Sequence, residues 1–395
     1  MKKLLIIGAG FLQSFVIEKA KNLGYEVFAV DGNPEAPGFK YADKYAVISI
    51  IDELACLDYA RENDIDGVLT AATDYGVLTA AYIAQELKLP GLNYEVAKLI
   101  KNKYKVRKRL YEANVDDTEQ AFEIDNSTNI SEIAQKISFP VMVKPCDGSG
   151  SRGATRVNHP EDLAKACSEA MACSITHRAV IESFIFGKEY GAESIVVNGK
   201  PHVLAIMKKW MTEPPYYAEL GHAIPTDLPP EVENRARSCV ARAIEALGIN
   251  FGSVNMDMLI TADGKIHIID IGARMGGNMI GSHIIPYGTG IDYMAAMIHN
   301  ALGETVDLTP KDHRAVATRL LAFEGGTVKR LPDQIPILFK CDVEIYHHTT
   351  VGQSVNKYRT NLDGCGYIIA RSSTVEEAEA NAAAELNRIS QYIFT

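Results

Sequence analysis
Over the first hundred residues, short apolar runs alternate with stretches of helical periodicity, and that alternation admits few folds. Strand-like runs at residues 4–7, 26–30 and 67–69 are interleaved with helix-like segments near residues 15–23, 53–63 and 75–87. The pattern predicts a parallel, doubly wound α/β sheet. The start, Met1-Lys2-Lys3-Leu4-Leu5-Ile6-Ile7, imitates a signal peptide, but Gly8 and Gly10 interrupt it and Gln13, Glu18 and Lys19 follow, so a first strand is expected. No apolar segment is long and clean enough to span a bilayer.

Charge and cysteine content narrow the function. The 395 residues carry a formal net charge of -10, which argues against general affinity for nucleic acid or an anionic membrane and favours small molecules. Seven scattered cysteines, Cys56, Cys146, Cys167, Cys173, Cys239, Cys341 and Cys365, lack the spacing of a zinc site or a disulfide framework, so a reducing cytoplasmic setting is expected. Gly8-Ala9-Gly10 with Asp31 about twenty residues on suggests a dinucleotide fingerprint, but Gln13 stands where its third glycine belongs. Asn102 to Ala113 reads as a basic helix, and such charge runs are usually solvated faces.

After Phe139 the character changes to strands with glycine-rich connections, an α+β pattern. Lys144-Pro145 precedes a glycine-serine loop with Asp147, Gly148, Ser149, Gly150, Ser151, Arg152 and Gly153. A lysine at a strand end beside free backbone N–H groups suits phosphate oxygens, although no glycine-lysine-serine closes a Walker loop. Residues 180–190 form an apolar run expected to be one strand, carrying Glu182 and Glu189 beside Phe184 and Ile185. Prolines 214, 215, 225, 229 and 230 mark a long loop before a helix near residues 231–247, and long ordered loops tend to be functional. Later, residues 315–322 and 343–346 read as strands and residues 375–389 as a helix.

Val254-Asn255-Met256-Asp257 and Ile268-Ile269-Asp270-Ile271-Gly272 are apolar runs separated by the turn Ala262-Asp263-Gly264-Lys265. That hairpin would set Asp257 beside Asp270, the oxygen donors a hard cation such as Mg2+ prefers, with the fork of Arg274 close behind.

Together, Lys103, Lys144, the glycine loop, Glu182 to Glu189, Asp257 and Asp270 to Arg274 make the chain resemble the ATP-grasp superfamily over essentially its whole length. The resemblance implies an N-terminal doubly wound pre-ATP-grasp domain over 1–100, an ATP-grasp domain over 101–308 with a lid subdomain at about 114–187, and a small C-terminal α+β domain over 309–395, laid out as in biotin carboxylase. It further implies that Lys103 and Lys144 contact the α and β phosphates of ATP and that Gly148, Ser149, Gly150, Ser151 and Gly153 fold over the γ-phosphate. Glu182, Phe184 and Ile185 would frame adenine, Glu189 would hold the ribose, and Asp257 and Asp270 would carry Mg2+ or Mn2+. The usual third metal ligand is an asparagine two residues after the second acid; here Gly272 stands there, which puts a second metal in question.

Tyr217-Ala218-Glu219-Leu220-Gly221-His222-Ala223-Ile224-Pro225 resembles the Glu-x-Gly-His-x-x-Pro loop of bacterial L-amino acid ligases, and Arg274 with Gly276-Gly277 is similar to theirs. This implies Glu219 for a substrate ammonium, His222 for substrate binding or a proton, and Arg274 for the charge of an acyl phosphate. The expected activity is ATP-dependent carboxylate-amine ligation on small molecules, with a homodimer expected by analogy alone. Three alternatives stay open: carboxylation or another acceptor, a nicotinamide enzyme using Gly8 to Gly10, and a non-catalytic ATP-binding protein. Trp210, Tyr216, Asn278 and Met279 are unranked candidates for the substrate pocket.

Overall fold
A computed structural model describes residues 1–118, 120–148, 150, 152–214, 216–339 and 342–395; Ser149, Ser151 and Cys341 lie outside the described residues. The N-terminal sheet is parallel, in the order Lys44–Val47, Glu26–Asp31, Lys3–Ile7, Gly67–Thr70. Alternation explains its two faces. Leu5, Ile7, Phe28 and Val30 pack with Leu57 and Ile83 of the helices Glu53–Glu62 and Val77–Leu87. Leu4, Ile6, Val27 and Ala29 face the other way, onto the helices Phe11–Asn22 and Tyr293–Ala301. At the glycine turn Gly8 has φ +100°, Ala9 N–H donates to Asp31 at 2.8 Å, and Gln13 donates to the Ala71 carbonyl at 2.6 Å. Gln13 thus stands where a dinucleotide fingerprint has its third glycine, and the Asp31 carboxylate, which a fingerprint presents to the ribose, accepts from the protein's own Ala9 N–H.

An antiparallel four-stranded sheet, in the order Ala121–Ile124, Ala179–Ser183, Val141–Pro145, Thr155–Val157, packs against the helices Ile130–Ala134 and Pro160–Cys173 through Ile133, Val141, Val143, Leu163 and Ile181. The single strand expected over residues 180–190 is two strands. Ala179–Ser183 belongs to this sheet, while Lys188–Val197 belongs to the next, and the intervening Phe184 to Gly187 crosses between them. An unbroken apolar run carries no mark of a change of partner, which is why periodicity alone misses the break.

The eight-stranded central sheet is antiparallel, in the order Ile266–Gly272, Gly252–Ile260, Lys188–Val197, Lys200–Met211, Glu219–Ile224, Ala315–Leu320, Gly366–Ser372, Val343–His347. The loop expected between Pro214 and Pro230 therefore contains a strand, because Glu219, Gly221 and His222 pair with residues 209–211 and Ala223 and Ile224 pair with Ala317 and Val316. The helix Pro230–Leu247 buries Val240, Ile244 and Leu247 against Tyr190, Ala192, Val254, Met256 and Met258 on one face of the sheet. A strand alternates its side chains, so Glu189, Glu193, Asn255 and Asp257 turn to the opposite face.

Candidate active site
Asp257 and Asp270 are cross-strand partners in the hairpin, as are Asn255 and Gly272. The two carboxylates are held by different lysines. Lys103 Nζ pairs with Asp270, and Lys209 Nζ lies 2.6 Å from Asp257 Oδ1. The same Lys209 Nζ is 2.7 Å from Glu189 Oε1 and 2.7 Å from Glu219 Oε1, and its side chain is fully buried. Its aliphatic stem lies over Gly191, where an added Cβ would come within 3.6 Å of Lys209 Cδ. Burial works against the Lys209 charge, but Asp257, Glu189 and Glu219 outweigh it and push its pKa well above the ordinary lysine value. Three carboxylates against one ammonium leave an excess of negative charge. Burial, with Glu219 and Glu189 close by, raises the Asp257 carboxyl above its usual range. Burial also works to raise Glu219, but Lys209 and His222 outweigh it and hold that carboxyl at about 2. Asp257 and Asp270 fit a divalent cation: oxygen ligands on two paired strands, with Glu189 and Glu219 adding negative charge beside Asp257.

The basic helix Lys103–Glu112 is not a solvated face throughout. Lys103 and Arg107, one turn apart, turn inward, and their side chains are 17% and 5% exposed. Arg107 binds Asp116 at 2.8 Å and Glu182 at 3.1 Å, and Lys144 Nζ binds Glu182 at 2.6 Å and the Ile269 carbonyl at 2.9 Å. Burial opposes ionisation of Glu182, but Lys144 and then Arg107 keep its pKa below the usual value. The Glu182 carboxylate is thereby consumed within the protein. Only its backbone and its neighbours are left to meet a ligand.

Between the small sheet and the central sheet lies a cavity of about 490 Å³. Lys103, Lys144, Asp257 and Asp270 line it at the charged end, with Met142, Phe184, Ile185, Leu259 and Ile269 as apolar wall. Arg156 stacks on Phe184 at 4.4 Å and on Phe186 at 5.1 Å. An apolar slot with a few placed charges suits a planar base with a phosphate tail. Gly148 also lines it, and Gly150 and Gly153 have φ of +67° and +72°, a region glycine enters at little cost. A smaller recess of about 40 Å³ shares Lys103, Gly148, Asp257 and Asp270 and adds Asp74, Lys101, Asn255 and Arg274.

Arg274 donates to both oxygens of Asp74, at 3.0 Å from Nε and 3.1 Å from Nη2. Burial lowers its pKa, but Asp74 more than restores it, so it stays charged. Glu219 further accepts from Asn278 and, at 3.1 Å, from Asn361. His222 is 1% exposed, its Nε2 lies 3.8 Å from Glu219 Oε1, and its Nδ1 has no hydrogen-bond partner among the described residues. Burial lowers its pKa to about 4 against the pull of Glu219, leaving a neutral imidazole at pH 7. Glu193, fully buried, accepts from Tyr293 OH at 2.7 Å, Asn255 Nδ2 at 2.9 Å and Gly276 N–H at 3.0 Å, and burial raises its carboxyl to about 7.

The structure brings together Lys103, Lys144, Glu189, Glu219, His222, Asp257, Asp270 and Arg274, all named from the sequence. Sequence reasoning missed Lys209, Asp74, Asn255 and Glu193. For Glu193 a signal exists, an acid inside the apolar run Ala192 to Val197, because a charge placed there has to be bound by the protein. Asp74 carries no comparable local mark.

Residues 137–282 match an ATP-grasp domain, and residues 341–393 match the L-amino acid ligase C-terminal domain 2. An uncharacterized protein of Sinorhizobium fredii is 26% identical over 324 residues, or 80% of this chain, and the chain spans 66% of that relative's length. A formate-dependent phosphoribosylglycinamide formyltransferase of Sulfurisphaera tokodaii is 22% identical over 404 residues, covering 96% of this chain and 95% of its own. The structure of an L-amino acid ligase from Bacillus licheniformis superposes with a TM-score of 0.82 at 25% identity, covering 98% of each chain. The chain thus carries an ATP-grasp domain, within which lies the hairpin of Asp257 and Asp270, and a C-terminal segment similar to that of L-amino acid ligases.

Proposed function
We propose that the protein is a carboxylate-amine ligase that activates an amino acid, or a similar small carboxylate, with ATP and joins it to an amine. The carrying observation is Lys209. One buried ammonium ties Glu189 and Asp257, at the nucleotide end of the cavity, to Glu219, the group expected to meet a substrate ammonium. Nucleotide and amino acid would then bind within one side-chain contact of each other. The L-amino acid ligase C-terminal domain supports this reading, because Tyr358 OH and Asn361 reach back from the C-terminal module to the Glu219 backbone and side chain.

In the reaction, a substrate carboxylate oxygen attacks the γ-phosphorus of ATP and ADP leaves, giving an acyl phosphate. The amine then attacks the acyl carbon and phosphate departs. Lys103 and Lys144 bind the phosphate chain, residues 182–185 receive adenine through backbone groups, and Glu189 holds the ribose. Asp257 and Asp270 would hold Mg2+ or Mn2+, which when bound neutralises phosphate charge. Arg274 offsets the charge of the acyl phosphate, and Glu219 holds the substrate ammonium. His222, neutral at pH 7, accepts the proton the attacking amine releases. Closure of the glycine loop at Gly148, Gly150 and Gly153 over the phosphates keeps water from the acyl phosphate.

Purified Arg274→Ala and Asp270→Ala are each expected to lose amino acid-dependent ADP release by about a hundredfold or more while keeping a wild-type far-UV spectrum. Full activity in either folded variant contradicts the assignment.

A further inference from the structure
Two glycines flank Arg274, and in each case a polar contact fills the space a side chain would need. A Cβ on Gly272 would lie 2.8 Å from Asp74 Oδ1 and 2.9 Å from Arg274 Cζ. A Cβ on Gly276 would lie 2.9 Å from both Asn255 Nδ2 and Glu193 Oε2. These contacts belong to one continuous chain. Asp74, on the connection after the Gly67–Thr70 strand, takes Nε and Nη2 of Arg274. Asn255 Oδ1 takes Nη1 at 3.3 Å, and its Nδ2 donates to Glu193 at 2.9 Å. Glu193 is fixed from behind by Tyr293 OH and Gly276 N–H.

We infer that Asp74, Asn255 and Glu193 are positioning residues that together aim the Arg274 guanidinium at the acyl phosphate. Gly272 is then the opening through which Asp74 reaches Arg274, and the amide absent from position 272 is present on the opposite strand as Asn255, its cross-strand partner. The inference rests on the ligase reading for what Arg274 acts upon. Its internal logic is polarity. Arg274 has donors only, so the carbonyl end of Asn255 must face it and the NH2 end must face Glu193 Oε2. Three elements of the central sheet and the N-terminal domain thus fix both ends of one fork. A guanidinium held at Nε, Nη1 and Nη2 has its orientation fixed, and the remaining Nη2 hydrogen is left to meet a ligand.

Polarity also supplies the test. In Glu193→Gln, Tyr293 OH and Gly276 N–H keep the amide oxygen on their side, so the new NH2 group faces the NH2 of Asn255; Asn255 turns round to accept from it, and Arg274 then meets an NH2 in place of its acceptor. In Asn255→Asp, two carboxylates face each other at a buried hydrogen-bond distance. When Glu193→Gln and Asn255→Asp are combined, the NH2 of the new amide donates to one oxygen of the new carboxylate and the other oxygen accepts from Arg274, so the chain is restored with its polarity reversed. Both singles are expected to lower kcat for amino acid-dependent ADP release by about a hundredfold with KM for ATP little changed, and the double to regain about tenfold or more over either. Wild-type kcat in the singles, or no recovery in the folded double, overturns the inference while wild-type turnover leaves the ligase reading standing.

If the wild type releases no ADP with any amino acid, the ligase reading fails, and the side-chain 15Nη1 resonance of Arg274, assigned by its loss in Arg274→Lys, decides the positioning chain. A slowly exchanging Nη1–H in the wild type and the double, lost in both singles, supports it. The same resonance in all four proteins overturns it.

Discussion

Lys209 Nζ holds three carboxylates at 2.6 to 2.7 Å, a degree of convergence that solvent cannot replace once the ammonium is removed. Lys209→Met keeps most of the stem and leaves those acids uncompensated in a largely buried setting. Denaturant unfolding is expected to show a loss of about 3–5 kcal/mol, and an undiminished midpoint would show that the acids find other partners. His222 supplies a second prediction. Burial holds its folded pKa at about 4, below the ordinary 6.5, so the folded state resists protonation that the unfolded state accepts. Its contribution is complete above pH 6.5 and is lost as the pH falls through 4, amounting to on the order of 3 kcal/mol. Unfolding of His222→Gln should therefore vary less between pH 6.5 and 4 than that of the wild type, and parallel curves would contradict the assignment. At this scale the sequence is legible where a residue type has few other uses: paired aspartates, a lysine before a glycine loop, an arginine after the second acid. It is not legible for Asp74, whose meaning comes from a partner two hundred positions away along the chain.

Among the elements, the hairpin of Gly252–Ile260 and Ile266–Gly272 does the most to build the site, because alternation puts Asn255 and Asp257 on the face away from the helix Pro230–Leu247. Its turn residues and apolar period announce it in the sequence. The strand Lys200–Met211 is harder to see, since Lys208, Lys209 and Trp210 blur its alternation, and with it Lys209 is lost from view. Glu219–Ile224 hides for a related reason: prolines on both sides suggest a loop, yet its pairing with Lys200–Met211 and Ala315–Leu320 makes it a central strand. At the hairpin's end, Gly272→Ala forces a methyl group against Asp74 and Arg274. That variant should fold with a stability loss of about 1–3 kcal/mol and lose most amino acid-dependent ADP release. Wild-type activity in Gly272→Ala would mean that the Asp74–Arg274 contact has no part in turnover.

The whole molecule joins its parts through the central sheet, whose last three strands belong to the C-terminal segment and whose first five belong to the ATP-grasp segment. Tyr358 and Asn361 come back along it to Glu219, while Asp74 comes in from the N-terminal sheet to Arg274. The parallel sheet at the start is legible from period alone; the fusion of later strands into one sheet depends on pairings between distant segments, which period does not encode. No helix among the described residues is long and apolar enough to cross a membrane. Occupation of the cavity should tie these parts together. ADP with Mg2+ at about a hundred times its Kd is expected to stabilise the fold by about 2.7 kcal/mol, and Asp257→Asn or Asp270→Asn should remove the Mg2+ dependence of that gain. An identical Mg2+ response in both variants would place the cation elsewhere. Ligase activity itself is read by incubating the purified protein with ATP, Mg2+ and pooled amino acids, following ADP release and new masses together. Amino acid-dependent ADP is expected, with a product lighter by one water than the sum of its two substrates. Measured ATP binding with no ADP above background, across all the amino acids tried, would contradict the ligase assignment.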